Sequence, residues 1–173
     1  MKKTILFFTI NIIFLATNYL LAQTCRDYIP NEWKDSRYVN HDNGTVTDNQ
    51  TNLMWKKCAQ GLSGNDCSTG TGTKHNWEEA LQLANNHSFA SYSDWRLPNI
   101  KELSSLVGRR CFNPNINESI FPNTPTDYHW SSSPNAANLQ DLSYHTWQLH
   151  FNYGHINSEA RDNNNYVRLV RSK

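Results

Sequence analysis

From Arg37 to Cys58 the chain alternates short apolar, β-favouring runs with clusters of turn residues. Asp42-Asn43-Gly44 reads as a turn, Thr45-Val46-Thr47 as a strand, Asp48 to Asn52 as a second turn and Leu53-Met54-Trp55-Lys56 as the next strand. This is a hairpin pattern. Residues 59–75 are rich in Gly, Ser and Thr, and an exposed loop is expected there. The period then changes. Trp77, Ala80, Leu81 and Ala84 recur at three- and four-residue spacing, which gives one apolar helical face. Asn76 supplies an N-cap, Glu79 completes a capping box, and both Glu78 and Glu79 favour the positive end of the helix.

The stretch SDWRLPNIKELSSLVG, residues 93–108, predicts a second helix. Pro98 holds Leu97 extended, Asn99 caps, and Glu102 stands three residues later. Ile100, Leu103, Leu106 and Val107 form the buried face, and Gly108 ends the helix as a left-handed residue. Trp95 and Leu97 point into the core while Arg96 points away, placed to bridge backbone carbonyls or a carboxylate. The run holds no nucleophile–base pair, so it reads as scaffold. Residues 109–127 have no clean period and are expected to form a long ordered loop, pinned by Cys111, Phe112, Ile116, Ile120 and Phe121.

The last third reads as β. Tyr128 to Ser132 form one strand and Tyr144 to Phe151 another, in which Thr146, Gln148 and His150 alternate against Trp147, Leu149 and Phe151. Asn152-Tyr153-Gly154 turns the chain into His155-Ile156-Asn157. In the closing run Tyr166, Arg168 and Val170 alternate against Val167 and Leu169. A mostly antiparallel sheet with two helices and long loops is the result, an α+β layout.

Composition adds a compartment. MKKTILFFTINIIFLATNYLLA has a basic start and an apolar stretch from Ile5 to about Leu21, the pattern of an export signal cleaved after Ala22. Asn11, Thr17 and Asn18 weaken a membrane-anchor reading, and Thr24 before Cys25 weakens a lipoprotein one. Residues 23–35 then form an irregular N-terminal segment, and 36–173 the domain. Without Lys2 and Lys3 the basic count falls from 16 to 14 against 15 acids, a net charge of 14 − 15 = −1. That speaks against a nucleic-acid partner. Four cysteines in an exported chain point to two disulfides. Cys58 and Cys67 flank a short polar loop and pair locally, which leaves Cys25 with Cys111. Zinc is the rival, without a CxxC element to support it. The 21 Asn of the remaining chain suit turns, and aromatic residues anchor the core.

The ordered motifs DNQTNLMWKKC, WEEAL, WRLPNIKELSSLV, INESIFPNT, WSSSP and YVRLVRS together resemble a bacterial family, the Lcl C-terminal domain, known from a collagen-like adhesin of Legionella. The resemblance spans roughly residues 36–172. It implies a C-type lectin-like fold in an exported domain that binds carbohydrate, including sulfated glycans, or another cell-surface ligand. It also implies trimers, but no Gly-X-Y stalk stands here to enforce them, and the oligomeric state stays open.

Candidate ligand-binding residues follow. In the segment 157–165, Glu159, Asp162 and Asn164 offer oxygens for calcium or sugar hydroxyls, with Arg161 beside them. No EF-hand spacing is present and no cofactor is expected; a solvated loop is the competing reading to calcium here. Arg109, Arg110, Arg168, Arg171 and Lys173 could form a sulfate-binding patch. Tyr144, Tyr153 and Trp130 could stack on a sugar ring, although Trp130 and Trp147 fit the core better. His145 and His150 differ by an odd number and face opposite ways in a regular strand, so a histidine metal site with His155 is disfavoured. No catalytic constellation stands out. The expected partner is a glycan or a surface protein, and a structural envelope domain is the alternative. A formylglycine-generating-type enzyme, which needs reactive cysteines, is the remaining rival. The expected location is periplasmic, cell-surface or secreted, with no transmembrane segment after cleavage.

Overall fold

The computed structural model describes residues 23–136 and 144–173. Residues 1–22, on which the expected export signal falls, lie outside that range. The strands are β1 (Thr24–Cys25), β2 (Tyr38–Asn40), β3 (Thr45–Asp48), β4 (Leu53–Lys56), β5 (Leu62–Ser63), β6 (Thr69–Gly70), β7 (Lys74–His75), β8 (Cys111–Phe112), β9 (Tyr128–Pro134), β10 (His145–His150), β11 (His155–Ala160), β12 (Asn165–Tyr166) and β13 (Val170–Ser172). Helices α1 (Trp77–Asn85) and α2 (Ile100–Ser104) separate the early strands from the late ones.

Two sheets carry the fold, a five-stranded one in the order β11-β10-β9-β12-β7 and a four-stranded one in the order β13-β4-β3-β2. Only the β12–β9 pairing is parallel among the described strands. The expected hairpin is β3–β4, with Val46 opposite Trp55, and both side chains are fully buried. The chain is thus an α+β, mostly antiparallel fold stapled by two disulfides, Cys25–Cys111 and Cys58–Cys67.

Both capping boxes form. Asn76 and Glu79 exchange side chain-to-backbone bonds at α1, and Asn99 and Glu102 do so at α2. Each satisfies two of the amide groups a helix start leaves unpaired. Arg96 forks onto Glu102 with two bonds of 2.7 Å, while its backbone bridges Val170 in both directions. The WRLP stretch therefore ties α2 to the last strand, as scaffold.

Four local expectations change. Helix α2 stops at Ser104, earlier than the apolar pattern implied. Gly108 does not take a left-handed conformation; instead a Cβ there would lie 2.6 Å from the Trp33 ring, so glycine serves a close approach. The segment 59–75 is more ordered than a bare loop: β5 pairs β6, and β7 joins the edge of the larger sheet. In β10 the alternation breaks down: Leu149 is buried as expected, but Thr146 and Gln148 are buried too and Trp147 is only half-buried. Strand β10 lies between β9 and β11, with a register shift between Thr146 and Gln148. Its buried polar groups are satisfied: Thr146 donates to the Ser133 carbonyl and Gln148 to Asn157.

Candidate binding cleft at the start of helix α1

The capping box fixes where α1 begins, and with it the position of Trp77. The Trp77 backbone amide donates to the Arg161 carbonyl at 3.0 Å, and the Arg161 amide donates to the Tyr144 carbonyl at 3.3 Å. Three distant parts of the sequence are thereby joined: the start of α1, the residue before β10 and the turn after β11. Their side chains, with Asn76, Glu78, Leu81 and Asp162, line a cleft of about 240 Å³.

The cleft has an unusual centre. The Arg161 guanidinium lies 4.4 Å from the Trp77 ring and 5.8 Å from the Tyr144 ring, held by cation–π attraction. It forms no ion pair among the described residues, and its Nε is buried without a partner. Asp162 turns to Tyr144 instead, accepting the phenol hydrogen at 2.6 Å. That bond, ahead of burial and of the Asp162 charge, pushes the Tyr144 hydroxyl above its ordinary value. Trp77 is anchored by its own Nε1, which donates to the Ser131 carbonyl at 2.8 Å, while Tyr144 stays half exposed. The arrangement offers guanidinium donors, carboxylate acceptors and an aromatic edge within one concavity, the mixture that fixes a small polar ligand. Leu81 also borders a second cavity of about 480 Å³ against Ala84, Trp95, Arg96 and Ser132, so the concave surface continues along α1.

Of the residues singled out in sequence, Arg161, Asp162 and Tyr144 meet here. Trp77 and Glu78 were not singled out: Trp77 fitted the apolar face of α1 and Glu78 its first turn. Glu159 belongs to β11, where it accepts from the Ala160 amide, and Asn164 is exposed. Among the described residues, no three His, Cys, Asp or Glu side chains are grouped to hold a metal.

The arginines do not assemble. Arg109 faces Glu32 at 3.4 Å, Arg110 pairs with Asp27 at 2.8 Å, and Arg171 pairs with Asp94 at 2.7 Å while covering Tyr92. Arg168 is a correction: it is fully buried and cannot belong to a surface patch. Its guanidinium donates to the Lys56 and Lys57 carbonyls and to Thr124. The strand alternation expected here does not hold, because the chain passes from β12 in one sheet to β13 in the other, and Val167 to Val170 are buried throughout. Tyr153 is exposed beside Phe112 and His150, and Trp130 is in the core. His150 and His155 are cross-strand partners with rings 5.0 Å apart.

These features define a disulfide-stapled α+β domain with an open polar–aromatic cleft. A profile of the family described as the Lcl C-terminal domain matches residues 44–171. The chain belongs to that family, as its motif order indicated. No curated protein matches the chain. The matched span includes the whole cleft but not β1, β2 or Cys25, which the Cys25–Cys111 bond and the β2–β3 pairing join to it. No helix among the described residues is long and apolar enough to cross a membrane.

Proposed function

We propose that the protein is an exported, non-enzymatic binding module, of the adhesin type its family membership favours, whose cleft at Trp77, Tyr144, Arg161 and Asp162 takes a sugar residue of a surface glycan. The observation that carries this reading is the Arg161 guanidinium, fixed between two aromatic rings with unused donors and no internal carboxylate partner. Its Nε is enclosed by the protein, so the terminal N–H groups, which make no hydrogen bond among the described residues, are the donors a ligand oxygen would meet. Charge selects the kind of sugar. Glu78 and Asp162 outnumber Arg161 in the lining, which disfavours a polysulfated ligand there and favours neutral hydroxyls. The separate ion pairs of Arg109, Arg110 and Arg171 point the same way.

A lectin-like use of the fold and export both accord with a domain held by two disulfides. All four cysteines are bonded, which speaks against a formylglycine-generating-type enzyme, whose chemistry needs reactive thiols. The test is a glycan array probed with the purified protein, with calcium and with chelator, followed by product analysis of any bound oligosaccharide. Binding to neutral glycans that survives chelation, releases no cleaved product and weakens about tenfold in Tyr144→Ala, roughly 1.4 kcal/mol, is expected. Absence of all glycan binding would sink this reading and leave a surface protein as the partner. Loss on chelation would move the site to a calcium ion at Glu159, Asp162 and Asn164.

A further inference from the structure

A separate cavity of about 320 Å³ shares no lining residue with the cleft, and Lys56, the last residue of β4, forms part of its wall. Lys56 is only 8 % exposed. Its ammonium donates to Gln60 Oε1 at 3.1 Å and lies 5.2 Å from the Phe89 ring. One of its three donors is thus used. Among the described residues no carboxylate forms an ion pair with it, including Asp42, which lines the same cavity. A nearly buried lysine with no ion-pair partner is costly unless something compensates its charge.

The surroundings add to the imbalance. Arg168, buried behind the same strand, donates to the Lys56 carbonyl. Burial first, and the Arg168 charge second, hold the Lys56 amine below its ordinary value. The remaining wall suits a small ligand. Gly44 is left-handed (φ +80°), and a Cβ there would stand 2.9 Å from Phe89, so bare backbone lies against that ring. Asn43 accepts from Thr45 through Oδ1, which leaves its amide hydrogens free at the rim.

We infer that this cavity is a carboxylate-binding subsite, in which the Lys56 ammonium takes the carboxylate of a free organic acid or of an acidic sugar, with Phe89 against its carbon face and the Asn43 amide at its edge. A monoanion is specified because a single ammonium lines the cavity, and Asp42, exposed on its wall and not paired with Lys56, repels any further negative charge. Sulfate or phosphate would leave a second charge uncompensated in a confined site.

The test reads the Lys56 Cε–Hε signal by NMR in the purified, unaltered protein, so it does not depend on a variant folding. Acetate, glucuronate, the methyl ester of glucuronate and sulfate are titrated at constant ionic strength. Saturable shifts with acetate and glucuronate, and none with the ester, are expected, and Lys56→Gln should weaken acetate binding at least tenfold. Glucuronate binding much more tightly than acetate would assign an acidic sugar; equal affinities would assign a free acid. No saturation below about 50 mM acetate or glucuronate, or equal responses to the ester or to sulfate, would overturn the inference. None of these outcomes bears on the Trp77–Tyr144 cleft, whose glycan binding Lys56→Gln should leave intact.

Discussion

Replacing both members of one disulfide by alanine at a time separates what each bond contributes. Cys25–Cys111 closes 86 residues and Cys58–Cys67 closes 9. In the chain-entropy model these correspond to about 4.6 and about 2.6 kcal/mol at 25 °C. Packing narrows the gap. Cys58, Cys67 and Cys111 are buried and Cys25 is exposed, so the short-loop variant loses two buried sulfurs and the long-loop variant one, at about 1 kcal/mol each. The long-loop variant should still be less stable, by about 1 kcal/mol. Equilibrium guanidinium unfolding of the oxidised variants measures this, and its slope supplies a second readout. Freeing the long loop expands the denatured chain more, so the slope should rise more for Cys25→Ala/Cys111→Ala. A larger loss from Cys58→Ala/Cys67→Ala, with unchanged slopes in both, would refute a dominant effect on the unfolded chain.

Three further outcomes are expected. His129 is fully buried; burial first, then the Arg168 charge, pull its pKa from 6.5 to about 3. The unfolded chain therefore binds this proton first, so the stabilising effect is complete above pH 6.5 and declines by about 1.4 kcal/mol per pH unit as the pH falls toward 3. His129→Gln should flatten that slope in urea melts across the window, and an unaltered slope would refute the assignment. Gly108→Ala should destabilise by about 1–3 kcal/mol through overpacking on Trp33; a thermal midpoint equal to the parent would show that the ring yields freely. Arg168→Met should cost about 2–4 kcal/mol, because Lys56 O, Lys57 O and Thr124 lose a donor while burial of a charge is relieved in part. Unfolding at the parental denaturant midpoint would mean that this buried charge costs as much as its bonds return.

What the sequence made legible was local. Asn76 with Glu79 and Asn99 with Glu102 announce their helices because capping is settled within three residues. The pairing of four cysteines followed from one short polar loop and elimination. The misread residues are those whose surroundings are set by a change of layer. Arg168 could join a surface patch only if one sheet continued past Tyr166, and Gly108 needs a special dihedral only while the Trp33 ring is out of sight. Trp147 looked buried because alternation in β10 was read without its register shift.

The cleft shows the same division. Arg161 and Asp162 drew notice because acids, an arginine and amides between two β runs are chemically conspicuous. Trp77 did not, since the first residue of an amphipathic helix is a natural core position. One backbone bond, from the Trp77 amide to the Arg161 carbonyl, turns both into a site by laying the guanidinium over the indole. That contact also explains why Asp162, the next residue, leaves Arg161 unpaired: the rings hold the guanidinium while Tyr144 claims the carboxylate. Removing the Tyr144 hydroxyl by Tyr144→Phe should free Asp162 to pair with Arg161 and close the site internally. Glycan affinity should then fall although the aromatic ring remains, and unchanged affinity would show that the unpaired guanidinium is not what the ligand meets.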